Sequence, residues 1–191
     1  MNQGHCIQKI RSAVQTAAHP PRPDQDLFQS TSVMALFVFN RVLELVFIQK
    51  ADVKGYPWRN QMAFPGGHVD KKDNSSQETA LRELREEMGI QAENVAVMGS
   101  LGHFQTINNK DIEAFIGVWN KKEEIRYDAS EISRVVSIPF DYLTGLHREK
   151  GYAGYRPLGL ELTYPYEDVL IWGVTAKILH HLIEVLTRPK T

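Results

Sequence analysis

The sequence has one cysteine, no excess of either charge and no long apolar run, and each absence excludes a class of protein. Cys6 alone can form neither an intrachain disulfide nor a cysteine-based zinc site. The 22 lysine and arginine residues balance 23 aspartate and glutamate residues, whereas nucleic-acid binders and polybasic membrane-surface proteins have a basic excess. No run approaches the roughly 18 apolar residues that a membrane-spanning helix needs. We therefore expect a cytoplasmic protein whose partners are neither nucleic acid nor membrane.

The chain of 191 residues has the length of one ordinary domain. Apolar residues at helical spacing predict a short helix near residues 5–17, and the prolines of residues 19–23 end it and form an extended link. We therefore divide the chain into an N-terminal helix and link over residues 1–23 and one domain over residues 24–191.

Strands grouped between helices indicate an α+β domain built in layers. Residues 33–49 predict two strands paired as a hairpin, because Asn40-Arg41 interrupts a run of branched and aromatic side chains. Strands are predicted over residues 95–104, 112–119 and 134–138. One or two helical turns are predicted over residues 141–146, and an amphipathic helix over residues 171–186.

The helix predicted over residues 76–88 is the most informative segment. Ser75 and Glu78 fit a capping box at its start, and Gly89 supplies its stop. At about 100° per residue, one stripe of the helix is apolar and should face a core. The stripe consists of Leu81, Leu84 and Met88.

Three glutamates, Glu83, Glu86 and Glu87, lie on the adjoining arc of this helix. Glu83 and Glu87 are one turn apart, so their carboxylates can reach the same point. Arg82 can pair with Glu78 one turn back and with Glu86 one turn on, which offsets part of the repulsion among the acids. Such an all-oxygen cradle is the kind of site that Mg²⁺ or Mn²⁺ prefers. The alternative is a solvated surface helix stabilised by ion pairs.

A double glycine, Gly66-Gly67, precedes the helix, and backbone without side chains can approach a metal or a phosphate closely. The whole segment resembles the Nudix box. From Arg82 to Ile90 it matches the arginine, glutamate, aliphatic and glycine positions of that motif. Asp73 occupies the position of an earlier glutamate, separated from Arg82 by eight residues rather than seven. This expanded spacing resembles the branch that includes coenzyme A pyrophosphatases.

The resemblance continues outside the box, in residues 61–67, 131–132, 138–139 and 171–176. At the motif that marks coenzyme A specificity, Lys50-Ala51 stands in imperfectly for an arginine and a small residue, and Asn60 occupies a glycine position.

The resemblance implies an α/β/α sandwich with a central mixed sheet flanked by helices. It also implies a metal-dependent hydrolase that cleaves a small-molecule nucleotide diphosphate. The substrate that the resemblance favours is coenzyme A or a derivative, with ADP-ribose, nucleoside diphosphate sugars or damaged nucleoside triphosphates as alternatives. Homodimers are common in the family.

The resemblance assigns Mg²⁺, or Mn²⁺, to Glu83, Glu86, Glu87 and the carbonyl of Gly67. Arg82 orients the glutamates, and Asp73 supports the loop. The general base is either Glu83 or Glu87 acting directly, or Glu131 in a later loop. Glu131 is as readily explained as an ordinary loop carboxylate.

Four residues near the box are candidates for binding the substrate. Trp58 and Arg59 could stack on a base and pair with a phosphate, although a surface-loop aromatic explains Trp58 equally well. Lys50 and Phe64 lie within the upstream motifs. A Nudix-like module that binds a nucleotide without cleaving it is the main alternative function, and a structural scaffold is a third. The intact set of Arg82 and the box glutamates speaks against the binding module, and a scaffold predicts no dependence on metal.

Overall fold

The computed structural model describes residues 3–24, 27–53 and 58–188. The helices are α1 (Gln3–Thr16), α2 (Ser76–Met88), α3 (Phe140–Glu149) and α4 (Gly173–Thr187), with short 3-10 turns at Ala92–Asn94 and Gly159–Glu161. The strands are β1 (Gln29–Phe39), β2 (Leu43–Lys50), β3 (Met62–Ala63), β4 (Gly66–His68), β5 (Val95–Gln105), β6 (Lys110–Trp119), β7 (Ile132–Pro139), β8 (Tyr164–Tyr166) and β9 (Val169–Ile171).

A mixed sheet in the order β3-β2-β1-β6-β5 forms the centre of the molecule, with β4 paired to β1 and β7 paired to β2. The predicted hairpin of β1 and β2 is confirmed, with Phe39 opposite Leu43 at its turn. β1 and β6 run parallel, from Gln29 opposite Lys110 to Val38 opposite Trp119. The other pairs in the sheet are antiparallel.

Helices cover both faces of this sheet, which confirms the α/β/α sandwich. β1 is buried on both faces, as strands in such sandwiches are. Its residues Met34 and Leu36 pack with Leu84 of α2, and the alternating residues Ala35 and Phe37 belong to the core that holds α1, α3 and α4. Within the described part of the chain, every helix is too short or too polar to cross a bilayer.

The N-terminal helix α1 packs into the same core as α4 and β5. Its buried residues Cys6, Ile10 and Val14 belong to that core. A Cβ atom at Gly99 of β5 would lie 3.1 Å from the Cγ1 atom of Val14, so the glycine allows the helix to approach closely. The boundary at residue 23 stays a prediction.

Helix α2 begins and ends as the sequence predicts. Ser75 Oγ accepts a hydrogen bond from the backbone N–H of Glu78 at 3.2 Å, and Gly89 ends the helix with φ +73°. The reciprocal half of the capping box is wrong, because the Glu78 carboxylate accepts its hydrogen bonds from Asn74 instead of from Ser75.

Helix α4 begins at Gly173, two residues later than the predicted start at Ile171. Ile171 lies in β9, where it pairs with Tyr164. The predicted helix therefore included one residue of a buried strand, because a buried strand and the buried side of a helix both carry apolar residues.

Candidate active site

The double glycine lies between β1 and α2, where side chains would not fit. A Cβ atom at Gly66, whose φ is +152°, would lie 2.2 Å from the carbonyl oxygen of Ser32. A Cβ atom at Gly67 would lie 2.4 Å from the carboxyl carbon of Glu83. The Glu83 carboxylate therefore rests directly against the backbone of Gly67.

Glu87 approaches the same backbone from one helical turn further on. Its Oε2 accepts a hydrogen bond from the N–H of Gly66 at 2.9 Å, and its Oε1 accepts one from Nζ of Lys50 at 2.6 Å. Glu87 is 7% exposed. Burial raises the pKa of Glu87, although the nearby Lys50 ammonium opposes the shift.

Arg82 connects the other two glutamates to the loop before the helix. Its NH1 donates to Glu83 and to Glu86, each at 2.8 Å, which confirms the predicted pairing with Glu86. Its Nε and NH2 donate to the two carboxylate oxygens of Asp73 at 3.0 and 2.9 Å. The predicted pairing with Glu78 is wrong, since Asp73 occupies that side of the guanidinium.

The box acids are thus held by cations of the chain itself. Lys50 pairs with Glu87, and the single positive charge of Arg82 is shared between Glu83 and Glu86. Across residues 3–24, 27–53 and 58–188, no three acidic, histidine or cysteine side chains are arranged as a metal site. The donor set nevertheless suits a hard divalent cation, because it offers carboxylate oxygens beside an open glycine backbone.

The sequence matches the NUDIX domain family over residues 29–162, which include β1 and the whole box. The chain belongs to the Nudix family.

Curated relatives are similar over much of this Nudix chain. It is 29% identical over 181 residues to the uncharacterized Nudix hydrolase NudL of Pectobacterium atrosepticum, which covers 89% of this chain and 90% of that protein. It is 30% identical over 133 residues to NudL of Photorhabdus laumondii, covering 65% of this chain and 67% of the relative.

Solved structures share the fold at low sequence identity. A MutT/nudix family protein from Enterococcus faecalis has a TM-score of 0.54 and 17% identity, covering 95% of this chain and 73% of that chain. An Ap4A hydrolase binary complex from C. elegans has a TM-score of 0.50 and 17% identity, covering 58% of this chain and 80% of that chain. At such identities these neighbours show the Nudix fold alone.

Glu131 is the alternative general base. It is exposed in the loop before β7, and its carbonyl oxygen accepts a hydrogen bond at 2.9 Å from the N–H of Ala51, next to Lys50. Its role as the base stays a prediction.

The four predicted substrate-binding residues have different surroundings in the structure. Lys50 binds Glu87, and the exposed Arg59 lies 3.8 Å from a carboxylate oxygen of Asp52. Trp58 is half-buried and lies in the same turn as Arg59. Phe64 is 3% exposed and its ring stacks on Phe47 with centroids 4.8 Å apart, so it packs in the core, and its contact with the substrate stays a prediction. Its place before the Pro-Gly-Gly segment reflects core packing.

Asn60 replaces a glycine of the coenzyme A motif without changing the backbone conformation that a glycine would allow. It stands at the expected glycine position and has φ +59°, the left-handed region that glycine adopts freely and asparagine tolerates. The backbone there keeps the conformation that a glycine would allow.

Lys110 lies near the box, and the sequence analysis missed it as a binding candidate; its neighbour there is His68, which follows the double glycine. Nζ of Lys110 lies 5.4 Å from the ring centroid of Trp58. The Nδ1 atom of His68 lies 3.3 Å from Oγ1 of Thr31, and the pKa of His68 is lowered by burial and by the charge of Lys110. Lys110 is far from the box in sequence, and only the parallel pairing of β1 with β6 brings it near.

Proposed function

We propose that this protein is a cytoplasmic, Mg²⁺-dependent pyrophosphohydrolase that cleaves the diphosphate of a nucleoside diphosphate linked to another group. The observation that carries the proposal is the convergence of Glu83 and Glu87 on the Gly66-Gly67 backbone. A solvated surface helix would give no reason for one of these acids to be 7% exposed.

The residues that would hold Mg²⁺, or Mn²⁺, are Glu83, Glu86, Glu87 and the carbonyl of Gly67. A bound divalent cation supplies charge that neutralises phosphate oxygens and lowers the pKa of a water molecule. The ammonium of Lys50 forms an ion pair with the Glu87 carboxylate, so that carboxylate already binds a positively charged group.

The other residues of the chain hold these acids in place. Asp73 grips the guanidinium of Arg82 through two hydrogen bonds, and Arg82 in turn fixes the carboxylates of Glu83 and Glu86. A carboxylate near the attacking water would take its proton, and Glu83, Glu87 and Glu131 are the candidates.

The favoured substrate is coenzyme A or a derivative, because the expanded spacing of the box resembles that branch, although Lys50-Ala51 and Asn60 depart from the motif that marks coenzyme A specificity. ADP-ribose and nucleoside diphosphate sugars are the alternatives. Trp58 and Arg59 would contact the nucleotide in either case. A nucleotide-binding module without activity is disfavoured, because binding alone would not need the ordered set of Arg82 and its glutamates.

The experiment is hydrolysis of a panel containing coenzyme A, ADP-ribose, nucleoside diphosphate sugars and nucleoside triphosphates, with Mg²⁺, with Mn²⁺ or with EDTA. Mass spectrometry of products formed in ¹⁸O-water identifies the substrate and the phosphorus attacked. We expect metal-dependent cleavage of one diphosphate class by the wild type and none by Glu83→Gln. Binding of a nucleotide with no cleavage under any metal condition would favour the binding module instead.

A further inference from the structure

Lys110 lies on β6, a strand that is distant from the box in the sequence but close to it in the fold. It begins β6 opposite Gln29 of β1, two residues from Thr31. Thr31 is opposite His68 of β4, so Lys110 and His68 lie on the same face of the sheet, at the same end of β1. The lysine is therefore a neighbour of the box, although 21 residues (89–109) separate it from the end of α2 in the sequence.

The Lys110 side chain reaches from β6 toward the loop on the other side of the box. Its Nζ lies 5.4 Å from the centroid of the Trp58 ring, within the range of a cation–π contact. Trp58 belongs to the turn before β3, where the backbone N–H of Asn60 donates to the carbonyl of Lys50 at 3.1 Å. Two hydrogen bonds with Thr106, at 3.1 and 2.9 Å, hold the backbone of Lys110.

Unlike Lys50 and Arg82, Lys110 has no acidic partner within the described part of the chain. Lys50 pairs with Glu87, and Arg82 pairs with Asp73 and two glutamates. For Lys110, the described ranges of the chain supply no carboxylate within ion-pair distance. Burial and the charge of Lys50 lower the pKa of Lys110. A half-buried ammonium beside a second ammonium is unfavourable unless an anion completes the site.

We propose that Lys110 is a substrate-binding residue whose ammonium binds a phosphate oxygen of the nucleotide, beside the indole of Trp58. A lysine ammonium binds phosphate as a point charge, and an indole face accepts a base or another flat group. The inference rests on the proposed function, because it assigns Lys110 to the substrate of that same site.

The test is calorimetric titration with ADP and with adenosine, in EDTA, of the wild type, Lys110→Gln and Lys110→Arg. Loss of one charge-assisted contact should weaken ADP binding about tenfold or more in Lys110→Gln. Lys110→Arg should recover part of that affinity, and adenosine binding should be equal in all three proteins. Lys122→Gln, at an exposed lysine of the loop after β6, is the matched control and should bind ADP as the wild type does.

Three results would overturn the proposal: unchanged ADP affinity in Lys110→Gln, an equal loss for adenosine, or no ADP binding by the wild type at millimolar concentration. An equal loss for adenosine would mean that Lys110 only supports Trp58. Because EDTA removes any metal-dependent turnover, the binding result is independent of hydrolysis. A protein that binds ADP through Lys110 but cleaves no diphosphate would refute the proposed function and leave this subsite standing.

Discussion

Replacing Asp73 by asparagine tests whether the loop before α2 holds Arg82 through charge. The Asp73 carboxylate accepts hydrogen bonds from Nε and NH2 of Arg82 at 3.0 and 2.9 Å, from Thr79 at 2.8 Å and from the N–H of Asp70 at 3.0 Å. An asparagine has nearly the same shape but carries no charge, and its amide nitrogen would face one of these donors.

The expected loss follows from these contacts. Hydrogen bonds to charged groups contribute about 1.5–3 kcal/mol in mutational series. The side chain of Arg82 is 22% exposed, so solvent screens part of the interaction. We therefore expect the Asp73→Asn variant to lose about 2 kcal/mol of unfolding free energy. For a chain of this size, that is a Tm lower by about 4–8 °C.

The pH dependence separates charge from shape. Hydrogen bonds from Arg82 hold the pKa of Asp73 well below its usual range. The unfolded carboxyl has a pKa of about 3.9, so the stabilisation is complete above that pH and is lost as the pH falls through the folded-state pKa. The difference in Tm between the wild type and Asp73→Asn should be constant from about pH 7 to about pH 5 and shrink below about pH 4.

Scanning calorimetry across this pH range makes the measurement, with Asp70→Asn as the matched control. The Asp70 side chain is exposed and accepts a hydrogen bond from the N–H of Lys72, so its loss should change the unfolding free energy by less than about 0.5 kcal/mol. The reasoning is refuted if Asp73→Asn has the wild-type Tm at neutral pH. It is also refuted if the difference in Tm is as large at about pH 3, below the unfolded-state pKa, as at about pH 7.

Two further substitutions test the helix and the glycine turn. Leu84→Ala should lower the unfolding free energy by about 2–5 kcal/mol in urea titrations, because Leu84 is fully buried, and half-buried Leu81→Ala should lose less. Equal losses would mean that α2 faces the core differently. Gly67→Ala should weaken Mn²⁺ binding about tenfold, measured by calorimetry, because its methyl group would displace the Glu83 carboxylate. Gly145→Ala, with no atom within 4 Å of the added methyl group, should bind Mn²⁺ normally, and equal affinity in both variants would contradict the prediction.

What the sequence predicts well is local. Helix α2 was predicted at its observed bounds, because its apolar period, its cap at Ser75 and its stop at Gly89 all lie within one short segment. The β1–β2 hairpin was predicted for the same reason, since both strands flank one turn.

What the sequence could not supply depends on contacts between distant segments. The parallel pairing of β1 with β6 brings Lys110 beside the box, and no local pattern marks that register. The sequence also does not show whether an aromatic residue beside the glycines packs in the core or faces the site. Phe64 is such a residue, and the structure buries it in the core. Asp73 was expected to support the loop, but its hold on Arg82 required the fold of the turn between them.

The most direct test of the central claim is metal-dependent turnover by Glu83→Gln and Glu87→Gln on the diphosphate that the wild type cleaves. Glu93→Gln, at an exposed glutamate of the 3-10 turn after α2, is the matched control. We expect both box variants to lose several orders of magnitude in kcat while melting as folded proteins, and the control to keep wild-type turnover. Near-normal Mg²⁺-dependent turnover in both box variants would contradict the account.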